Sequence, residues 1–229
     1  MTEKPAHPLL AYPEEARIAY VSLLGDLCYV DRQFDEHERK LLDQQMKQLH
    51  ISDQGKARVY AAVFDLKESH RDSIIAGIQA LAQSDLRFTL ISDLFLMALA
   101  NNYISVEEQE YVFALGSQLG VEDEQIKAIK QVQFNLWQMR NTPSASDTFN
   151  KLIKECASSL AGVGVPIAAV AASGSVFGLS AAGLSSGLAA LGALVGGGML
   201  AGTVLVVPAL AAGSIWGVKA LVDLVTKKD

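Results

Sequence analysis

The chain has 229 residues, half of them hydrophobic, with a formal net charge of −6. That length holds one ordinary domain with an appendage, and the acidic balance excludes a basic, phosphate-gripping nucleic-acid binder. Its two cysteines, Cys28 and Cys156, are too few for a disulfide framework and read as reduced thiols in a cytosolic setting.

The charge is unevenly spread. After Cys156 the only charged residues are Lys219, Asp223, Lys227, Lys228 and Asp229, a net of +1, so the preceding part carries −7. An acidic part of this kind does not lie on anionic lipid by charge attraction, and its partners are expected to be proteins. The opening stretch, Met1–Arg17, is polar and proline-bearing. It predicts no signal peptide and a cytoplasmic location for the bulk of the chain.

In chain order, residues 1–12 read as an arm in which Pro5 and Pro8 oppose helix. Residues 13–140 read as an all-α domain. A first helix is predicted from Pro13, with Tyr20, Val21, Leu24, Leu27 and Cys28 on one stripe. The second runs from Asp35 to about Leu49, carrying Leu42 and Met46. A third, capped by Ser52 or Asp53, carries Val59, Ala62 and Phe64. Further helical patterns cover Ser73–Ala82, Asp85–Ala100, Ser105–Leu119 and Glu122 to about Met139. No stretch sustains the period-two alternation of a strand. Residues 141–155 then read as a linker, because Asn141–Asn150 offers little to bury.

From Cys156 to Val218 there is no Asp, Glu, Lys, Arg, His, Asn or Gln. One bilayer crossing takes ~20 apolar residues, so residues 156–229 read as a membrane segment with a short basic end. Breaks at Ser173–Ser175 and Gly196–Gly198 leave three pieces, Ala157–Ala172, Val176–Val195 and Met199–Val218. Glycines recur at four-residue spacing, among them Gly183 with Gly187, Gly192 with Gly196 and Gly198 with Gly202. That spacing lets membrane helices approach closely and predicts a homo-oligomer held through the tail. Lys151 and Lys154 precede the run, while Lys219, Lys227 and Lys228 follow it. Basic flanks at both ends keep both in the cytoplasm and require an even number of crossings of the inner membrane. The simplest topology is a hairpin of the second and third pieces, with the first lying along or partly within the bilayer.

A shift of 70 residues superposes two polar corners, Asp31–Glu38 over Asn101–Glu108, with Leu24 over Leu94, Phe34 over Ile104, Leu49 over Leu119 and Ile51 over Val121. Two readings of the corners stand side by side. Asp35-x-x-Glu38 and Ser105-x-x-Glu108 have the form of capping boxes, with Phe34 and Ile104 as hydrophobic staples. Alternatively, Asp31, Asp35, Glu38 and Glu108 converge on a divalent cation, which favours clustered carboxylate oxygens. An EF-hand does not fit, since its sixth and twelfth positions counted from Asp31 are Glu36 and Leu42.

The stretches YVSLLGDLCYVDRQFDEHERKLLDQQMKQL and LFLMALANNYISVEEQEYVFALGSQLGV resemble the tellurite-resistance TerB-like family, which includes the N-terminal domain of a membrane-anchored co-chaperone. The resemblance covers about Pro13 to Met139. It implies an all-helical fold in duplicated halves, each with an Asp-Gly-x-Φ-x-x-x-Glu corner. Asp31 and Glu38 match the first corner, with Arg32 for the glycine; Glu108 matches the second, with Asn101 and Asn102 for the Asp-Gly pair. It also implies an interaction module in metal-stress response or phage defence. The tail lies outside the likeness, though its AAGLSSGLAALGALVGGGMLAG run is similar to glycine-rich tails of small stress-induced membrane proteins.

Catalytic signatures are missing from the sequence. His7, His37, His50 and His70 form no ligand pair, and no Gly-rich loop ends in Gly-Lys-Ser/Thr. Gly196–Ala201 fits G-x-G-x-x-A without a preceding strand and reads as a turn between membrane helices. Trp137 and Trp216 read as core or interface aromatics. The expected function is therefore a non-enzymatic, membrane-tethered sensor or scaffold in stress response or phage defence, with a divalent cation as its one candidate cofactor. The alternative is a pore-forming effector whose tail oligomerises in the inner membrane.

Overall fold

Helix starts in this chain are written locally, and the computed structural model follows them. It describes residues 8–31, 34–64, 85–141 and 146–173. After a 3-10 turn at Pro8–Ala11 come α1 (Glu14–Tyr29), α2 (Glu36–Gln48) and α3 (Asp53–Phe64). These are followed by α4 (Leu86–Ala98), a 3-10 turn at Leu99–Asn101, α5 (Val106–Gln118), α6 (Asp123–Asn141), α7 (Ser146–Gly162) and α8 (Ile167–Ala172). No strand occurs among the described residues. The helical pattern at Ser73–Ala82 and the two membrane pieces after residue 173 lie outside them.

The duplication is visible in the architecture. Helices α2 and α5 begin and end 70 residues apart, and α1 and α4 are the two central helices. Helix α1 is buried continuously from Ile18 to Cys28, and α4 along its whole length except Arg87. Each central helix packs against its own following helices, and the two also pack on one another. Gly25 permits the closest approach, because a Cβ there would run into the Val63 side chain of α3. Buried polar bonds join the halves: Tyr20 donates from α1 to Asp93 of α4 at 2.8 Å, and Tyr111 of α5 donates to the Leu23 carbonyl at 3.3 Å. At the surface Arg58 grips Glu15 with two bonds of 2.6 and 2.7 Å, tying α3 to α1.

Helices α2 and α5 also end alike. Ile51 N–H bonds to Met46 O, and Val121 N–H to Gly116 O, both at 2.9 Å, each reaching over a left-handed residue. In the second half that residue is Gly120 at φ 68°; in the first it is His50 at φ 50°. A side chain in this conformation costs about 1–2 kcal/mol that glycine does not incur. His50→Gly is therefore expected to raise the melting temperature, by roughly 1 kcal/mol of stability. A thermal melt that stays put or falls would show that the exposed imidazole makes a compensating contact.

Two expectations are changed by the packing. Phe64, placed on the buried stripe of the third helix, is 56% exposed. Val63 fills the core instead, and Phe64 sits among the rings of Tyr29, Phe34 and Tyr60. The larger change is at the supposed linker. Helix α7 runs through it from Ser146, with Ile153, Cys156, Ala157 and Leu160 buried at i, i+3, i+4 and i+7. This stripe straddles the composition change at Cys156, so neither the polar half nor the apolar half displays it alone. Chain reversal at Gly164, φ 72°, then lays α8 against α4, with Val165, Ala169 and Val170 buried. The first apolar piece, expected along the membrane, thus contributes to the protein core.

Candidate functional site

Both corners form complete capping boxes. Asp35 Oδ1 accepts from His37 N at 2.6 Å and Glu38 N at 2.9 Å, while Glu38 Oε2 accepts from Asp35 N at 2.9 Å. Ser105 Oγ accepts from Glu108 N at 3.1 Å, and Glu108 Oε2 from Ser105 N at 2.7 Å. Each box satisfies helix-terminal donors that would otherwise be orphaned. Phe34 and Ile104 pack on the core ahead of the caps.

What capping does not require is the depth of the two glutamates. Glu38 is 3% exposed and Glu108 is 2% exposed. Desolvation pushes the Glu38 carboxyl up to about 7, reinforced by the negative fields of Asp35, Glu108 and Asp31. Glu108 is raised for the same first reason, with Asp31 and Asp35 adding repulsion, against the opposing bonds from Ser105. Between the corners lies buried Cys28, whose thiol is pushed well up by burial and then by Glu38 and Glu108; it donates to Leu24 O at 3.2 Å. The acids of the two corners thus raise one another's proton affinity.

Three of their carboxylate oxygens are committed to the caps. Glu108 Oε1 is buried without a hydrogen-bond partner, whereas the Oε2 atoms of both glutamates and Asp35 Oδ1 hold backbone N–H groups. Among the described residues no group of three or more His, Cys, Asp or Glu side chains is arranged to hold a metal ion. A cation that drew on Glu38 Oε2, Glu108 Oε2 or Asp35 Oδ1 would compete with the capping bonds. The glycines Gly183, Gly187, Gly192, Gly196, Gly198 and Gly202 lie outside the described residues.

A second polar cluster escaped the sequence reading. Gln133 of α6 donates to Ser92 of α4 at 2.5 Å, and Ser92 and Ser173 share a 2.7 Å hydroxyl bond; all three residues are buried. Thr89 donates to the Ala169 carbonyl at 3.0 Å. These bonds pin the chain where α8 ends. Their signal in the sequence was faint: Thr89, Ser92 and Asp93 as polar interruptions in the apolar run Leu86–Ala98.

The family model described as Tellurite resistance protein TerB matches residues 17–131, from the first turns of α1 into α6 and across both corners. No curated protein and no solved structure matches the chain. Helices α7 and α8 fall outside the matched span.

Proposed function

The chain belongs to the tellurite-resistance TerB family, and on that premise we propose that it is a non-enzymatic scaffold or sensor tethered to the inner membrane by its tail, acting in stress response or phage defence. The observation that carries the tethering is a division within the apolar run. Its first part, to Ser173, is seated in the domain, with the end of α8 fixed by Thr89, Ser92 and Gln133. Residues 174–218 continue without a charge and match about two crossings of ~20 residues each. No helix among the described residues is long and apolar enough to cross a membrane. In this reading the anchor is the stretch made of Val176–Val195 and Met199–Val218.

Fractionation with a carbonate wash tests this reading. The chain is expected in the washed membrane pellet, and release into the soluble phase would remove the tether. A cysteine in place of Asp229 is expected to resist an impermeant thiol reagent in intact cells, because an even number of crossings leaves that end inside. The pore alternative is favoured by one feature, the glycines at four-residue spacing. Leucine at Gly183, Gly187, Gly192 and Gly196 should leave the chain in the membrane while abolishing its oligomers. Unchanged oligomer size would remove both the glycine interface and the pore.

A further inference from the structure

We propose that the groove between α5 and α6 is a docking site for an amphipathic helix whose apolar face is bordered by Asp or Glu. The groove is lined by Gln109, Phe113, Lys127, Lys130, Gln131 and Phe134. On α5, Gln109 and Phe113 follow at i and i+4; on α6, Lys127, Lys130 and Phe134 follow at i, i+3 and i+7. Each helix thus turns one stripe to the groove. A third helix laid between two such stripes meets anchors at its own i, i+3/i+4 and i+7 positions.

The anchors are aromatic and accessible. Phe134 is 38% exposed and stacks on Trp137, with centroids 5.8 Å apart. Trp137 Nε1 donates to Asn102 Oδ1 at 3.2 Å, which places the 65%-exposed Tyr103 at the same end, and Val106 on the α5 side is 64% exposed. Exposed aromatics of this kind are the residues that carry binding energy when a partner covers them.

The duplicated half builds the equivalent position from different residues. Seventy residues earlier, Asp43 stands for Phe113, Tyr60 for Lys130 and Phe64 for Phe134. There Tyr60 donates to Asp43 at 2.7 Å, bridging α2 and α3, and the 56%-exposed Phe64 meets the rings of Tyr29, Phe34 and Tyr60. The same inter-helix position is bridged by a tyrosine–aspartate bond in one half and lined by Phe113, Lys127 and Lys130 in the other.

Charge selects the occupant. The chain ahead of Cys156 carries −7, yet this groove presents Lys127 and Lys130. Among the described residues Lys130 bonds to the neutral Gln109, and Lys127 reaches Glu124 at 4.0 Å with both side chains well exposed, a pair that contributes little. Carboxylates flanking an apolar ligand face would complement this rim. Residues 174–218 of the chain itself have no charge to offer it. A second copy docked groove to groove would set lysine against lysine.

The inference rests on the scaffold reading only in placing a partner on the domain, and it does not depend on where the tail resides. The test uses the full chain in neutral-lipid nanodiscs, with Trp216→Phe so that Trp137 reports alone. The probe is a labelled helical peptide of about 15 residues, with a Leu/Phe face flanked by Glu and free of Trp and Tyr. A second peptide has the same face flanked by Lys. Saturable binding of the Glu peptide is expected, with a change in Trp137 fluorescence. Phe134→Ala, and separately Lys127→Glu with Lys130→Glu, should each weaken it about tenfold at unchanged melting temperature. Equal binding by the variants, equal affinity for the Lys peptide, or no saturation by about 1 mM would overturn the assignment. So would wild-type dimers that Phe134→Ala dissociates while the peptide fails to bind. Failure here with the chain still in the carbonate-washed pellet would sink the docking site and leave the tether standing.

Discussion

Leu160→Ala is expected to destabilise the domain by about 3 kcal/mol, although Leu160 lies well outside the family-matched span. Its side chain is 0% exposed, in line with Ile153 and Cys156 on the inner face of α7. Its carbonyl accepts from Val165 N at 2.9 Å and Val163 N at 3.3 Å, closing the turn that leads to α8. Removing a leucine from such a site forfeits its transfer free energy and leaves a cavity, at a usual cost of 2–5 kcal/mol. Deleting the whole segment should do more. A chain ending at Asn141 retains all of residues 17–131 but strips cover from α4 and α6. It leaves Thr89, Ser92 and Gln133 without Ala169 O and Ser173. Such a chain is expected to aggregate or melt far below one ending at Ser173, compared by circular dichroism and sedimentation. Equal melting of the two would show that α7 and α8 only decorate the domain.

Glu38→Gln is expected to stabilise the protein above pH 7 and to flatten its stability profile. The folded Glu38 carboxyl, at about 7 against the ordinary 4.5, keeps a proton that the unfolded chain releases across that window. Its stabilising contribution is full below pH 4.5, declines as pH rises, and is gone above 7. The span is on the order of 3 kcal/mol, and the raised Glu108 acts in the same direction. Glutamine retains an oxygen for the Asp35 N–H, because either Glu or Gln serves at this place in a capping box. The charge is removed and the cap kept. Urea titrations from pH 5 to 8 should show wild type losing stability across the range and Glu38→Gln losing much less. A wild-type profile that is flat or rises with pH would mean the carboxylate is solvated. The same titration at pH 8 separates the two readings of the corners. Added calcium, magnesium, manganese or zinc that restores wild-type stability, but not that of Asp31→Asn, would assign the acids to a cation. Indifference to all four leaves them as caps.

How much of this was legible beforehand follows from how far each cause reaches along the chain. Asp35 with Glu38, and Ser105 with Glu108, act across three residues, so the capping boxes could be read directly and were formed as read. The shift of 70 residues was also legible, because two halves with the same apolar positions build the same helices. Helical periodicity and the family likeness followed from the same local patterns. Other features depended on what covers a residue, and that is set by partners far away in the chain. Phe64 and Val63 are neighbours, yet only the approach of α3 to α1 at Gly25 decides which one enters the core. The proton affinity of Glu38 depends on its burial and on Glu108, 70 positions away. Segment 146–173 looked like a linker followed by a membrane stretch, since apolar residues of that kind suit lipid and protein interior alike. Its place was decided by an apolar face on α4 and α6 ready to receive it, with Thr89, Ser92 and Gln133 supplying hydrogen bonds that lipid could not.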